Sequence, residues 1–199
     1  NPHKLQEIRR LLAGAPTELI GLDAFPPIVE PEETGRTFAE NARLKARYYA
    51  AATGVRTVAE DSGLEVDALG GRPGVRSARY AGAQGDHAAN NARLLAELAE
   101  VPEARRLARF VCVLALARPD GAAWLFRGEC AGAIARAPRG AGGFGYDPLF
   151  LAAAAGGRAL AEIEAAAKNR ISHRGRALAE LAAALPAVLD GRLAPTELP

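Results

Sequence analysis

Of the 25 basic residues in the chain only three are lysines, Lys4, Lys45 and Lys168; the other 22 are arginines. A drift toward Arg spares Lys where a compact ammonium is needed and a planar guanidinium does not fit. Chance survival is the competing explanation, so the neighbours of each lysine matter. Lys4 closes Asn1-Pro2-His3-Lys4, which has the character of an N-cap followed by a first-turn proline. A helix start offers unpaired N–H groups and the positive end of a dipole, a geometry that binds phosphate. An ordinary cap with a surface lysine is the plainer reading of this stretch taken alone. Lys45 follows Glu32 and Glu33 of PEETG, two loop carboxylates that are either solvated charge or hard oxygen ligands for Mg²⁺. Lys168 precedes SHRG, where Ser172, His173 and Arg174 offer donors to an anion or to a base carbonyl.

Two further stretches carry chemistry. TVAEDSGLEV places Glu60, Asp61, Ser62 and Gly63 between two β-type runs. Acids at the end of a strand in an α/β protein fall where such folds place ligands, and they can hold a metal or position water; a Ser or Asx turn is the plainer reading. GGFGYDP combines backbone freedom with Phe144, Tyr146 and Asp147, a set suited to stacking on a flat ring while a polar group meets its edge. Glycine turns with an aromatic are also common without function. Together, isolated lysines, acids and an aromatic loop are what a nucleoside triphosphate with Mg²⁺ requires. No GxxxxGK[ST] is present, so the chain is not a P-loop enzyme. No GxSxG, HExxH or CxxC spacing appears either, which removes the usual hydrolase and zinc alternatives.

The elements that must position these groups follow from periodicity. Residues 1–14 read as a helix, 17–22 as a short strand, and PPIVEPEETG as a loop. Thr37 with Glu40 forms a capping box, and TFAENARLKARYYAAAT is a helix ending at Gly54 with Lys45 near its middle. Residues 55–59 and 64–69 are expected as two strands separated by the acids, and LGGRPGVRSARYAG as a loop of partly extended character. Asp86 starts a helix carrying Leu94, Leu95 and Leu98. Long buried strands meet at Pro119-Asp120-Gly121, and a final helix closes the chain. Helices and strands interleave, so the class is α/β with a mixed β-sheet and flanking helices.

A chain of 199 residues with 49% hydrophobic content fits one sizeable domain, or two lobes sharing a sheet. The apolar runs are too short for a bilayer-spanning helix, so a soluble protein with no membrane partner is expected. A net charge of +2 with mixed signs argues against nucleic acid as a partner. Cys112 and Cys130 lie in apolar runs without metal-type spacing, as reduced thiols of a cytoplasmic protein would. The chain contains no Met and begins at Asn1, so its natural start is expected upstream.

Taken in order, NPHK, EETGRTFAENARLKA, AEDSGLEVDALGGRPGVRSARYAG, GGFGYDPLF and KNRISHRGRAL resemble the inosine triphosphate pyrophosphatase family, the dITP/XTP pyrophosphatases. The resemblance runs from the first residue to the last helix. It implies an elongated α/β structure of two lobes around a long mixed sheet, residues 1–199 forming one such domain with a cleft between its lobes and its first strand missing. It also implies a homodimer that uses Mg²⁺ to hydrolyse ITP, dITP and XTP to the monophosphate and pyrophosphate. On this resemblance Asn1, Pro2, His3 and Lys4 belong to the triphosphate loop, Glu33 is a metal ligand and Lys45 binds phosphate. Asp61 is proton acceptor and metal ligand, and Ser62 touches substrate. Phe144, Gly145, Tyr146, Asp147, Lys168, His173 and Arg174 bind the nucleotide, mostly around its base. All three lysines fall in that set. Two departures stand out: His3 occupies a position where the family commonly has a small residue, and Arg76 one where an aromatic is frequent.

The mechanism this implies is in-line attack of water on the α-phosphorus with pyrophosphate leaving, the lysines and Mg²⁺ offsetting the charge of the triphosphate. An Asp held by Mg²⁺ is a poor free base, so the proton comes off either to Asp61 or from a water whose acidity the ion has raised. Rival readings are a house-cleaning pyrophosphatase for modified pyrimidine nucleotides and a nucleotide-binding module without turnover.

Overall fold

A computed structural model describes residues 8, 9 and 17–197. Asn1, Pro2, His3 and Lys4, and with them the expected phosphate-binding helix start, lie outside the described residues; Ile8 and Arg9 are helical.

The sheet has five strands in chain order: β1 (Thr57–Val66), β2 (Leu107–Ala117), β3 (Ala123–Ile134), β4 (Phe150–Ala152) and β5 (Arg158–Ala159). The helices are α1 (Phe38–Thr53), α2 (His87–Glu97), α3 (Ala165–Ile171) and α4 (His173–Leu189). The α/β class with flanking helices is therefore as expected. The chain divides into two compact units, one of residues 1–61, 113–127 and 177–199, the other of 62–112 and 128–176. β1 passes from the first unit to the second, β2 returns, and β3 passes again. β3 pairs antiparallel with β4 (Gly132↔Ala152, Ile134↔Phe150), and β4 with β5. Both of these pairings are antiparallel, where a mixed sheet was expected: each strand lies beside its neighbour in sequence.

In the first unit α1 is started by both halves of the expected capping box: Thr37 Oγ1 accepts from Glu40 N–H at 3.1 Å and Glu40 Oε2 accepts from Thr37 N–H at 3.0 Å. The helix stops at Gly54, whose N–H reaches the Ala50 carbonyl. Phe38, Ala42, Ala46 and Ala50 recur at helical spacing on its buried side. On α4, Leu178, Leu181, Leu185 and Val188 do the same. Near the C-terminus, the Leu193 carbonyl accepts from the Trp124 indole at 3.0 Å, and Thr196 N–H donates to the Ala123 carbonyl.

The second unit has its own core, with Leu64, Val66, Leu94, Leu98, Phe110, Ile134, Leu149, Phe150 and Leu160 at its centre. Buried there, Arg106 donates to the carbonyls of Leu98, Val101 and Ala135 and so satisfies the ends of a turn. Cys112 and Cys130 are buried and form no disulfide, as expected. No described helix is long and apolar enough to cross a membrane.

Three local expectations are corrected. Residues 18–21 form no strand and run into a short 3-10 turn at Leu22–Ala24; alternation alone does not make a strand where no described neighbour pairs with it. The stretch 67–79 is not extended but folds as two 3-10 turns, Asp67–Leu69 and Gly74–Arg79, with only an isolated bridge between Glu65 and Pro73. Arg76 is exposed on the second turn. Finally, TVAEDSGLEV is one continuous strand rather than two separated by the acids.

Candidate functional site

The continuity of β1 through its acids has a physical cause. An Asp in a strand is unfavourable when it competes with the ladder or repels a neighbour, but Asp61 is compensated from α1. Its Oδ1 accepts from the Lys45 ammonium at 3.1 Å and its Oδ2 from the Asn41 amide at 3.2 Å. Gly63 then lets the strand pass close to the turn beside it. A Cβ there would meet Ser77 Oγ and lie 2.7 Å from the Gly74 carbonyl. Leu64 N–H donates to that same Ser77 hydroxyl at 2.8 Å.

The first unit brings together Glu33, Lys45 and Asp61. Lys45 Nζ lies 2.5 Å from Glu33 Oε1 and 3.1 Å from Asp61 Oδ1, with side-chain exposures of 13% for Lys45, 24% for Glu33 and 11% for Asp61. The PEETG loop reaches this point because three backbone N–H groups, those of Gly35, Arg36 and Thr37, donate to side chains in the first turn of α1. Burial pulls the Lys45 ammonium down, but two carboxylates outweigh it and hold its pKa above the usual lysine value. Burial dominates at Asp61 and pushes its carboxyl up, against Lys45 and the Asn41 amide; the negative Glu33 adds to the rise. The two directions are consistent, since Lys45 has two anionic partners whereas Asp61 has one cation and one like charge. Glu60, whose role the sequence leaves undecided, lines a cavity of 1520 Å³ in this unit together with Glu30, Tyr49 and Arg56.

Two hard carboxylates from different elements converge here on one cation. That donor set fits Mg²⁺, which is bound through one or two carboxylates and completed by substrate phosphates and water. Among the described residues no group of three or more His, Cys, Asp or Glu forms a self-sufficient metal cage.

The second unit assembles the glycine loop, Lys168 and the start of α4. The Asp147 carboxylate accepts from Lys168 Nζ at 2.5 Å and from Phe144 N–H at 2.8 Å through the same oxygen. The Phe144 ring is 58% exposed, and the Lys168 ammonium sits 5.2 Å above it. Tyr146 turns the other way: its ring is in the core and its hydroxyl donates to the Ser77 carbonyl at 2.9 Å, with burial raising its pKa. It anchors the loop. The Gly145 carbonyl accepts from the Asn91 amide on α2 at 3.0 Å. His173, the first residue of α4, is buried and stacks on Phe110 at 4.8 Å and 12°. Ser172 Oγ accepts from Gly175 N–H in that first turn, Arg174 is half-buried on it, and Ser62 is half-buried on β1.

Asn41, Ser77 and Asn91 are absent from the sequence-derived set. Asn41 carried a readable signal: it stands in a helix interior, where Asn is a poor residue, four positions before Lys45 and therefore on its face. The contacts of Ser77 with Tyr146 and of Asn91 with Gly145 join residues far apart in sequence, which no local pattern shows.

The Ham1 family matches residues 1–184. The chain belongs to the Ham1 family. A relative in it, the dITP/XTP pyrophosphatase of Nocardia farcinica, is 55% identical over 193 residues, covering 96% of this chain and 93% of its own. Among solved structures, a HAM1 protein from Coxiella burnetii superposes with a TM-score of 0.85 at 42% identity, covering 94% of each chain. The nucleoside-triphosphatase / dITP/XTP pyrophosphatase of Mycobacterium abscessus does so with a TM-score of 0.78 at 48% identity, over 91% of this chain and 93% of that one. Such identity over nearly the whole length places the Ham1 fold on this chain.

Proposed function

We propose that this Ham1 protein hydrolyses non-standard purine nucleoside triphosphates, ITP, dITP and XTP, to the monophosphate and pyrophosphate. The observation that carries the reading is the half-buried Lys45 held between the carboxylates of Glu33 and Asp61. The names of the relatives support the substrate class.

Mg²⁺ at Glu33 and Asp61 would supply charge neutralisation for the triphosphate. Lys45 donates to a phosphate oxygen, assisted by the Asn1 to Lys4 stretch. Asp61 orients the attacking water, whose oxygen bonds to the α-phosphorus as the bond to the pyrophosphate oxygen breaks; the water proton is lost toward the Asp61 carboxylate. In the second unit the exposed Phe144 ring offers a stacking face to the base. Lys168, Asp147, Ser62, His173, Arg174 and the backbone of Gly145 and Tyr146 complete the nucleotide contacts. Donors at the base edge accept a 6-oxo purine and meet the adenine amino group donor to donor, which leaves buried groups unpaired. The enzyme works as a cytoplasmic homodimer.

Mg²⁺-dependent release of pyrophosphate from ITP, dITP and XTP, compared with GTP, dUTP and methylated pyrimidine triphosphates, tests the assignment. Preference for the first group is expected. Preference for the pyrimidines would replace the reading with a pyrimidine pyrophosphatase, and nucleotide binding without release with a non-catalytic module.

A further inference from the structure

Asn41 is fully buried in α1, and a buried amide is costly unless both its ends are bonded. Both are. Oδ1 accepts from Gly35 N–H at 2.7 Å and Nδ2 donates to Asp61 Oδ2 at 3.2 Å. The amide cannot be turned round: the backbone N–H of Gly35 requires the oxygen, which leaves only the nitrogen for the carboxylate. The approach is close enough to demand glycine. A Cβ on residue 35 would lie 2.5 Å from Asn41 Oδ1 and 2.8 Å from Glu40 Cβ.

Gly35 is two residues past Glu33, so a single amide ties the loop that carries one acid to the strand that carries the other. On the same helix face, one turn on, Lys45 takes the remaining oxygen of Asp61. The Asp61 carboxylate is therefore held at both oxygens from α1, and its plane is set by two residues four positions apart. A side chain that merely filled space would need neither the donor nor the acceptor.

We infer that Asn41 is a positioning residue for hydrolysis: it orients the Asp61 carboxylate and fixes the loop of Glu33 relative to it. This rests on the proposed reading in which Glu33 and Asp61 carry the metal and the water. Asn41→Ala removes both bonds. Asn41→Asp keeps the shape and the acceptor for Gly35 but replaces the donor facing Asp61 with a like charge.

The test measures kcat and KM for ITP, Mn²⁺ binding to the nucleotide-free protein by electron paramagnetic resonance, and Tm. Residues that orient a metal's ligands typically cost about 10–100-fold in affinity or activity when removed. A loss of that size in kcat is expected for both variants with KM for ITP nearly unchanged, and a comparable weakening of Mn²⁺ binding for Asn41→Ala. If Asn41→Ala does not fold, the isosteric Asn41→Asp decides through kcat alone. Folded variants with lowered Tm but wild-type kcat and Mn²⁺ affinity would overturn the inference. Asp61→Asn, assayed in parallel, separates the two levels. If it turns over normally, the site reading falls and the inference with it; if it is inactive while the Asn41 variants are normal, only the inference falls.

Discussion

Lys45 and Lys168 are buried to similar depth, with side-chain exposures of 13% and 16%, and each donates to an aspartate, yet their surroundings carry different charge. Lys45 meets two carboxylates, those of Glu33 and Asp61. Among the described residues Lys168 pairs with the one carboxylate of Asp147, with an exposed aromatic ring beside it. On the proposed reading the paired carboxylates of the first arrangement suit a metal with its phosphate. On the same reading the second, a single ion pair beside a ring, suits a flat, uncharged base. On the proposed reading one residue type takes two different roles, and the number of acids beside it distinguishes them.

The harshest way to break this contrast is Asp61→Asn. Losing a general base or water-orienting carboxylate costs typically about 10²–10⁴-fold. A fall of that order in pyrophosphate release is expected, with nucleotide KM little changed because the second cluster is intact. Near-normal turnover would remove the distinction between the two lysine sites.

How much of this contrast was legible beforehand depends on the range of the interaction. Lysine scarcity pointed to Lys45 and Lys168, and the Thr37 and Glu40 box, a contact over three residues, was readable to the atom. The single strand through Asp61 was not, because the partners that make a buried acid tolerable there are 16 and 20 residues away. For the same reason the anchoring of the glycine loop by Ser77 and Asn91, at separations of 69 and 54, left no local trace. The 3-10 turns at 67–79 were missed differently: their glycines and arginines specify a loop but not which one.

Next in size is the paired substitution of the two lysines. Lys45→Met removes a preorganised charge from the reacting end, an effect of roughly 10²–10³-fold on kcat. It also removes the competitor for the carboxylates, so less Mg²⁺ should be needed for half-maximal rate. Lys168→Met should instead raise nucleotide KM roughly tenfold, the worth of a charged hydrogen bond, and leave the Mg²⁺ requirement alone. The first variant also has a pH signature in the metal-free protein. Asp61 already titrates above its ordinary value in the fold, so its burial as an anion costs stability that is regained as pH falls through the raised pKa. Without Lys45 the carboxyl rises further, and the deficit in Tm against wild type should be largest near neutrality and shrink toward acid pH.

The smallest expected effects sharpen the contrast most, because they touch neither lysine. Thr37→Ala deletes half of the capping box that seats the Glu33 loop on α1, at about 1 kcal/mol. Asn91→Ala deletes the donor that holds the Gly145 carbonyl, worth about 0.5–1.5 kcal/mol. Both lower Tm by a few degrees, since 1 kcal/mol moves a chain of this size by roughly 2–4 °C. Their kinetic consequences should diverge. A looser Glu33 loop weakens the response to Mg²⁺ while discrimination between ITP and GTP stays as it was; a looser glycine loop relaxes that discrimination while the Mg²⁺ response is untouched. Titrating Mg²⁺ against both nucleotides with each variant measures the two together. If either substitution moved both quantities equally, the loops would be acting as one body, and the assignment of metal to one lysine and base to the other would lose its support.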